Sequence, residues 1–538
     1  MEEVMKILVS DDVSEKGVEL LRQNGYTVDV ETNLDEDQLA ERIGEYDGLI
    51  TRSMTHVTAK VIEKAKKLKI VGRAGVGIDS IDLKAATARG IIVVNAPTSN
   101  TIAATEHTCA MILAVTRHIP QAHDSLMSGE WNREKFTGIQ LKDKTMGIIG
   151  VGRIGSRIAK RMQAMEMRTI GYDPYIPEER GKQLNCELVD LDTLLRESDY
   201  ITLHTPLTKE TRGMIGAEEI AKMKDGVRVI NVSRGAVLDI NALAEALKSG
   251  KVAGAAVDVF PEEPLTSDIN PFKGMDNVVI TPHLGASTVE AQEGVSLDVA
   301  RSIMAGLKGE PVPTAVNMAP IAPGVYSTIR PYFDLMERMG IMGVYLAEAP
   351  MKEITVEYSG KLAETETALL TTAVLKGALN PILQDTVNFV NAPDLAKQRH
   401  ISVKEVKTSD HGNFVDAVTV RIVTAKGEHK VVGSLFNQTE AKIVQIDEYR
   451  VDFKPENYLL LAPHIDQPNM IGQIATVLGE AKINITGMQV GNMTQKGTNI
   501  MAVAVEDDIP NDVMVKLRSI NGILDMKLIH CEPNQQEA

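Results

Sequence analysis

Short apolar runs alternate with amphipathic, helix-like stretches along the N-terminal part of the chain. A first series of runs lies at residues 6–9, 48–51, 68–72 and 91–94, before a long helical pattern at 103–117. A second series follows at residues 145–149, 168–171, 200–203, 227–231, 254–258 and 278–281. Continuous apolar strands that alternate with helices are typical of parallel sheets covered by helices on both faces. The pattern therefore predicts two α/β sheets of the doubly wound class.

The pattern changes after residue 285. A helical stretch runs to about residue 307, and a third region, 325–452, mixes a strand at 353–358 with a helix at 364–379. The last region predicts strands at 458–462, 487–491, 498–505 and 523–529, with helices at 470–480 and 511–519. This strand–helix–strand–strand–helix–strand order suits a small α+β domain.

Composition excludes several classes of protein. The 538 residues carry 57 basic and 73 acidic side chains, a net charge of −16, which argues against a nucleic-acid binder. No apolar stretch approaches the roughly 20 residues that span a bilayer, and the first residues do not resemble a signal peptide. Three scattered cysteines, Cys109, Cys186 and Cys531, indicate neither a disulfide scaffold nor a thiolate metal site. We expect a cytoplasmic protein without a metal or membrane partner.

A glycine-rich turn, GVGRIG at residues 150–155, directly follows one predicted strand and opens a helix that extends to residue 165. Glycines there permit a tight turn, close approach of a pyrophosphate and close helix–strand packing. Asp173 ends the next strand, where a carboxylate accepts hydrogen bonds from ribose hydroxyls and repels a 2′-phosphate. The turn therefore predicts NAD rather than NADP, bound by Gly150, Gly152, Arg153, Ile154, Gly155 and Asp173.

Three polar residues follow successive strands of the second series: Arg234, Glu263 and His283. Ligands of open α/β sheets bind beyond the carboxyl ends of the strands, so these side chains can converge on one crevice. An imidazole can take a hydroxyl proton near neutral pH, and a neighbouring carboxylate orients it. A guanidinium can bind a substrate carboxylate through two hydrogen bonds. We therefore predict an alcohol oxidation in which His283 is the acid/base, Glu263 its partner and Arg234 the substrate anchor.

Together these motifs resemble the D-isomer-specific 2-hydroxyacid dehydrogenase family. Segments 72–79 (GRAGVGID) and 281–288 (TPHLGAST) resemble its long branch, which oxidises 3-phospho-D-glycerate to 3-phosphohydroxypyruvate in the first step of L-serine synthesis. The resemblance covers essentially the whole chain and implies a homo-oligomer, either a dimer or a tetramer. It also implies a flavodoxin-like substrate domain (1–99 and 286–316), a Rossmann NAD domain (100–285), an α+β intervening domain (317–454) resembling an allosteric substrate-binding domain, and an ACT domain (455–531).

The resemblance also assigns residues to the cleft between the first two domains. It implies further cofactor contacts from Val76, Thr205, Pro206, Ser233, Asp258, Gly285 and Ala286. It implies substrate contacts from Arg52, Ser53, Arg73, Gly75, Asn100 and Arg133. Of these, Arg133 matches a basic position that reaches the neighbouring subunit's site.

The C-terminal region resembles the ACT domain, a small amino-acid-binding module that pairs with a second copy. The resemblance implies that His464, Asp466 and Asn484 bind L-serine between two copies. Asn469 stands where the family usually has glycine, although asparagine tolerates the same left-handed turn. A dimerisation module without a ligand is the alternative for this region.

Two other functions stay open for the whole chain. The first is a dehydrogenase of the same family that acts on glycerate, lactate or glyoxylate, with reduction of 2-oxoglutarate as a conceivable side activity. The second is a non-catalytic NAD sensor that recruits a protein partner. Arg52, Arg73 and the C-terminal region argue against the first, because unphosphorylated substrates need none of them. The complete set of Arg234, Glu263 and His283 argues against the second.

Overall fold

A computed structural model describes residues 4–310, 312–321, 324–383, 387–409, 416–437, 439–493 and 497–532. Within these ranges the strands form sheets of five, seven and ten strands. In the same ranges no helix combines the length and apolarity needed to cross a bilayer. The architecture confirms the predicted fold class, two doubly wound α/β units followed by α+β structure.

The first sheet is entirely parallel and has the strand order β2-β1-β3-β4-β5, which is the flavodoxin-like order. Its elements are β1 (Lys6–Val9), α1 (Glu15–Gln23), β2 (Thr27–Val30), α2 (Glu36–Arg42), β3 (Gly48–Thr51), α3 (Ala59–Lys64), β4 (Ile70–Arg73), α4 (Leu83–Ala88) and β5 (Ile92–Asn95). Strand β2 is absent from the sequence prediction because this four-residue edge strand has only one fully buried residue.

The second sheet is also parallel, in the order β12-β11-β10-β9-β6-β7-β8. Two helices precede it, α5 (Thr101–Arg117) and α6 (Ile119–Met127). Its elements are β6 (Thr145–Ile149), α7 (Arg153–Ala164), β7 (Arg168–Tyr172), α8 (Glu178–Gln183), β8 (Glu187–Leu188), α9 (Leu191–Glu197), β9 (Tyr200–Leu203), α10 (Ala217–Lys222), β10 (Val227–Asn231), α11 (Ile240–Ser249), β11 (Val252–Val257) and β12 (Val278–Ile280). The strand order reverses between β6 and β9, which is where such folds bind nucleotides.

Helix α12 (Val289–Leu307) follows the second sheet but packs on the first. Val299 and Ile303 lie against Gly72 in β4, where an added Cβ would stand 2.5 Å from Val299 Cγ1. The Ser296 hydroxyl donates a hydrogen bond of 2.7 Å to the Ser14 carbonyl. The chain therefore crosses twice between the two sheets, and both crossings border the cleft between them.

The third sheet is mixed and joins the last two predicted domains, in the order β14-β13-β15-β16-β17-β18-β20-β21-β19-β22. Its first part contains α13 (Val325–Ile329), α14 (Phe333–Ala347), β13 (Met351–Gly360), α15 (Ala368–Leu379), α16 (Ala392–Gln398), β14 (Ser402–Thr408), β15 (Asp416–Thr424), β16 (Glu428–Phe436), β17 (Glu440–Ile446) and β18 (Tyr449–Phe453). Its second part has the predicted βαββαβ order: β19 (Tyr458–Ile465), α17 (Met470–Glu480), β20 (Ile485–Met493), β21 (Thr498–Val505), α18 (Asn511–Arg518) and β22 (Lys527–His530).

The two parts of this sheet are continuous, since Tyr449 and Arg450 of β18 pair with Met493 and Asn492 of β20. They also share a core, in which Leu459 and Leu461 of β19 pack with residues of α14. Arg338 of α14 donates hydrogen bonds of 3.1 Å to the Cys531 carbonyl and to Asn457 Oδ1. The last two regions therefore form one packed body.

Candidate active site

The glycine turn lies between β6 and α7, as predicted. Gly150 has φ +89, and an added Cβ would lie 2.7 Å from the His204 carbonyl oxygen. At Gly155 an added Cβ would lie 2.1 Å from the Gly150 oxygen, so helix α7 can pack this closely only with glycine there. Gly152 faces open space, with no heavy atom near its virtual Cβ. The packing explains the first and third glycines, and the open face of the second leaves room for a phosphate.

The surroundings of this turn fit a dinucleotide. Backbone N–H groups at the start of α7 face the space beside Gly152, a good environment for a pyrophosphate. Thr205, after β9, has a buried hydroxyl without a partner, and such a group needs a ligand or a water. Pro206 follows it, and Ser233 lies after β10, fixed by hydrogen bonds to Asn231 Oδ1. These residues border the point where the strand order reverses.

Asp173 lies directly after β7 and is half-buried. Its carboxylate accepts hydrogen bonds of 3.0 Å from the backbone N–H groups of Val151 and Tyr175. The acid that the sequence assigns to the ribose thus also ties the glycine turn to β7. Arg153 and Ile154 begin α7, and the exposed Arg153 side chain reaches the Pro97 carbonyl in the loop after β5 at 3.5 Å.

The predicted acid/base pair is formed in the structure. His283 Nδ1 lies 2.8 Å from Glu263 Oε2, and Glu263 Oε1 accepts a hydrogen bond from the Phe260 N–H. Partial burial raises the pKa of Glu263, but the hydrogen bonds from His283 and Phe260 outweigh it and lower the pKa below its ordinary value. An ionised Glu263 favours a proton on Nδ1, which leaves Nε2 of a neutral imidazole free to accept one. Both side chains are open to the cleft.

The loop that carries His283 closes on Asp258. The Asp258 carboxylate is fully buried and accepts hydrogen bonds from the backbone N–H groups of Leu284 (2.8 Å) and Gly285 (2.9 Å). It also binds the Thr281 hydroxyl and lies 3.1 Å from His107 Nε2. The contact with the cofactor that the resemblance implies for Asp258 stays a prediction, since the carboxylate contacts protein groups here. Ala286 follows this loop and is half-buried.

Three guanidinium groups converge at the edge of the first sheet. Arg52 follows β3, Arg73 ends β4, and Arg234 reaches across from the second sheet. Burial, followed by the positive charges of Arg234 and Arg52, lowers the pKa of Arg73 to about 10. The Nε of Arg73 is buried without a partner. A cluster of mutually repelling cations with an unsatisfied donor is a site for a multiply charged anion.

Glycines make room for this cluster. A Cβ on Gly75 would stand 1.5 Å from Arg73 Nη1, and one on Gly77 would stand 2.2 Å from Arg234 Nη2. Arg234 Nε donates a 3.1 Å hydrogen bond to Asp79, which lies just beyond Gly77 on the first-sheet side of the cleft. The two sheets are therefore joined at the point where the guanidinium groups meet.

The other predicted substrate residues border the same cleft, with one exception. Ser53 is exposed in the loop after Arg52. Val76, which is predicted to contact the cofactor, lies after β4, and its carbonyl accepts a 2.6 Å hydrogen bond from Asn95. Asn100 precedes α5, and its Oδ1 is a buried acceptor without a partner. Arg133 lies apart in the exposed loop after α6, so the structure of one chain does not bring it to this cleft.

The predicted effector residues lie on the loops of the last region. His464 is buried, with its Nδ1 at 2.9 Å from the Ile465 carbonyl and its Nε2 unpartnered. Asp466 is exposed, and Asn484 donates a 3.0 Å hydrogen bond to Glu506. Asn469 has φ +68 at the start of α17, the left-handed conformation expected where the family has glycine.

Sequence reasoning missed His107, Thr281 and Asp79. Asp79 lies within the segment 72–79 (GRAGVGID) and Thr281 within 281–288 (TPHLGAST), so their position in these motifs is the signal that could have found them. His107 offers no local signal, because it lies in the middle of α5, 151 positions before its partner Asp258.

Comparison with known proteins agrees with this geometry. Residues 109–285 match the family model of the NAD binding domain of D-isomer specific 2-hydroxyacid dehydrogenases. Residues 328–447 match the D-3-phosphoglycerate dehydrogenase intervening domain. A solved D-lactate dehydrogenase from Aquifex aeolicus, complexed with NAD and lactic acid, aligns with a TM-score of 0.52 and 30% identity over 57% of this chain and 96% of that one.

Relatives of full length are also similar. The D-3-phosphoglycerate dehydrogenase of Archaeoglobus fulgidus is 43% identical over 97% of this chain and 99% of its own length. That of Bacillus subtilis is 39% identical over 98% of this chain and 99% of its own length. The chain belongs to the D-3-phosphoglycerate dehydrogenase family, within the D-isomer-specific 2-hydroxyacid dehydrogenases.

Proposed function

We propose that the chain catalyses the NAD-dependent oxidation of 3-phospho-D-glycerate to 3-phosphohydroxypyruvate, the first step of L-serine synthesis. The observation that carries this proposal is the position of the three guanidinium groups of Arg52, Arg73 and Arg234 in a cleft that also holds the His283–Glu263 pair. Three cations suit the carboxylate and phosphate of one substrate, whereas lactate or glyoxylate offers a single negative charge.

The chain's own groups have complementary roles in this reaction. When bound, NAD accepts the hydride that leaves C2 of the substrate. His283 Nε2 takes the hydroxyl proton, and Glu263, 2.8 Å from Nδ1, stabilises the resulting imidazolium. Arg234 binds the substrate carboxylate and polarises the forming carbonyl. Arg52 and Arg73, with Asn100 and the backbone at Gly75, bind the phosphate end.

A substrate panel tests this proposal. NADH formation is followed with 3-phospho-D-glycerate, D-glycerate and D-lactate, and its consumption with glyoxylate and 2-oxoglutarate. We expect kcat/KM for 3-phospho-D-glycerate to exceed that for D-glycerate by about a hundredfold, since a charge-assisted hydrogen bond contributes about 1.5–3 kcal/mol. Equal values would favour another dehydrogenase of the family, and no turnover of any substrate would favour an NAD sensor.

We also propose that the active form is a homo-oligomer, a dimer or a tetramer. Helix α6 has no fully buried residue, and its apolar side chains Leu126 and Met127 are exposed at 56% and 75%, with Trp131 nearby at 81%. Exposed apolar patches of this kind mark protein interfaces. A second copy that covers this face would bring Arg133 towards a neighbouring cleft. Light scattering should give a multiple of the chain mass, and Met127→Asp should lower it; a monomeric wild-type chain would contradict the proposal.

For the last region we propose an ACT domain that binds L-serine as a feedback effector, at a site comprising His464, Asp466 and Asn484. The unpartnered Nε2 of the buried His464 supports a polar ligand there. Isothermal titration with L-serine, with D-serine as the control, tests the site directly. Binding of neither would leave a dimerisation module without a ligand. We also propose domain boundaries at residues 99, 285, 316 and 454. We propose a cytoplasmic location as well, which the free thiols of Cys109, Cys186 and Cys531 favour.

A further inference from the structure

Three backbone N–H groups of the loop that carries His283 are bound by one residue, Asp258. Three consecutive backbone N–H groups donate to Asp258: His283 to its carbonyl at 2.8 Å, Leu284 to Oδ1 at 2.8 Å and Gly285 to Oδ2 at 2.9 Å. His283 itself has φ +57, a left-handed conformation that a non-glycine residue keeps only when its surroundings impose it. The position of the imidazole therefore depends on the position of Asp258.

Asp258 in turn needs partners, because its side chain is fully buried. An ionised carboxylate is stable in such a place only when hydrogen-bond donors surround it. Burial raises the pKa of Asp258, and hydrogen bonds from His107, Thr281 and Leu284 outweigh it, so the pKa stays below its ordinary value. Of these hydrogen bonds, the one from His107 lowers the pKa of Asp258 most.

His107 comes from a different part of the fold. It projects from α5, the long helix that leads into the second sheet, and its Nε2 lies 3.1 Å from Asp258 Oδ1 and 3.2 Å from Thr281 Oγ1. It thus contacts one oxygen of Asp258, which follows β11, and one oxygen of Thr281, which follows β12. Its side chain is 19% exposed, so the imidazole is largely enclosed.

We propose that His107 is a positioning residue, which acts through Asp258 to hold the 281–285 loop and so places the His283 imidazole. The inference rests on the proposed function for its effect on turnover, while its effect on the loop is independent of any substrate.

The test compares two variants that differ in where they place an amide. In H107Q the side-chain amide can reach the position of Nε2, whereas in H107N it is too short to do so. We expect H107N to lower kcat by about tenfold to a hundredfold, with KM for 3-phospho-D-glycerate little changed, because misplacement by about 1 Å has effects of this size. H107Q should stay within about threefold of the wild type, since the donor is kept.

Amide hydrogen exchange supplies the readout without substrate. The peptide that spans 281–288 should exchange several times faster in H107N than in H107Q or in the wild type, because the amides of Leu284 and Gly285 lose a fixed carboxylate acceptor. H429N is the matched control: His429 Nδ1 lies 3.0 Å from Asp447 Oδ2 in the third sheet, so the variant makes the same substitution at a histidine–aspartate contact away from the cleft. It should change neither kcat nor the exchange of 281–288.

Wild-type kcat and wild-type exchange in H107N would overturn the inference, as would equal losses in H107N and H107Q. Should H107N fail to fold, as judged by its melting temperature against H429N, H107F takes its place, because a phenyl ring fills the same space without a donor. A wild-type chain that oxidises no hydroxy acid would refute the proposed function, and the exchange rates would still decide the role of His107.

Discussion

The catalytic half of the chain and the C-terminal half bury their strands in different ways. In the second sheet, β6 and β9 are buried at every residue, and all the strands run parallel. In the third sheet, β15 alternates between buried and half-buried positions, and β14, an edge strand, is exposed at six of its seven residues. Both halves are sheets packed against helices, but the burial of β15 and β14 shows that part of the third sheet is less covered.

This difference decides where chemistry can gather. In a parallel sheet all carboxyl ends lie at one edge, so residues that follow separate strands meet there, as Glu263 and His283 do. In the antiparallel part of the third sheet, successive strand ends lie at opposite edges, and polar side chains are dispersed over the surface. In the catalytic half polar residues therefore gather in one site, whereas in the C-terminal half they are spread over the surface.

The strongest test of this comparison is to remove the proposed base, His283, from the catalytic half. Replacing His283 by alanine should lower kcat by at least about 10²-fold, because general acid–base catalysis contributes roughly 10²–10⁴-fold. NADH binding, measured by fluorescence titration, should be nearly unchanged, since the glycine turn lies on other strands. A variant that keeps more than about a tenth of the wild-type kcat would remove His283 from the mechanism.

The next effect concerns the arginines of the first sheet. Arg52→Ala or Arg73→Ala should raise KM for 3-phospho-D-glycerate by about tenfold to a hundredfold and change that for D-glycerate much less, since the lost interaction is a charge-assisted hydrogen bond. Steady-state kinetics with both substrates measure the difference. Lys60, exposed on α3 of the same sheet and paired with Asp37, offers a matched control as Lys60→Ala. Equal increases in KM for both substrates would show that neither arginine binds the phosphate.

A smaller effect, on the preference for NAD over NADP, is expected from Asp173, the residue assigned to the ribose of NAD. Asp173→Ala removes both the acceptor and the negative charge, so the preference for NAD over NADP in kcat/KM should fall by about tenfold. The variant also loses the hydrogen bonds to the Val151 and Tyr175 N–H groups, so a general weakening of both cofactors is expected beside the change in ratio. An unchanged ratio would assign Asp173 to the turn alone.

The sequence predicted the catalytic half more closely than the C-terminal half. Strands 48–51, 145–149, 200–203 and 227–231 agree with the structure at both ends, because buried parallel strands are continuous apolar runs between turn residues. From 402 to 453 the structure has five strands that the sequence analysis did not place individually. Their alternating or exposed residues give a weak apolar pattern, and their pairing is decided by contacts distant in sequence.

The same limit applies within the site. His283 and Glu263 could be paired from sequence, because each follows a strand of one sheet and their chemistry is complementary. The contact between His107 and Asp258 could not, since a helix interior carries no mark of the loop it will touch. Likewise, nothing in the sequence revealed that Tyr449 and Arg450 continue the sheet into β20.

The smallest effect on catalysis is expected from a substitution in the last region. It also sharpens the comparison between the two halves of the chain. Deleting residues from Tyr458 onward is a poor test, because β19 and α14 share a core and Arg338 would lose its partner at Cys531. Asn484→Ala leaves that core intact and removes one side-chain donor, now bonded to Glu506.

We expect Asn484→Ala to raise the L-serine concentration for half-inhibition by up to about tenfold, the weight of one hydrogen bond. Without serine, kcat should not change, because the effector acts by a coupling of roughly 1–3 kcal/mol between distant sites. That coupling has a physical route, since the third sheet is continuous from β20 to β13 and Asn388 donates a 2.6 Å hydrogen bond to the Gly90 carbonyl of the first unit. Asn511→Ala, an exposed asparagine on α18, is the control. If serine has no effect on the wild type at any concentration, Asn469→Gly, which restores the family's usual residue, separates a lost effector site from a pure assembly module.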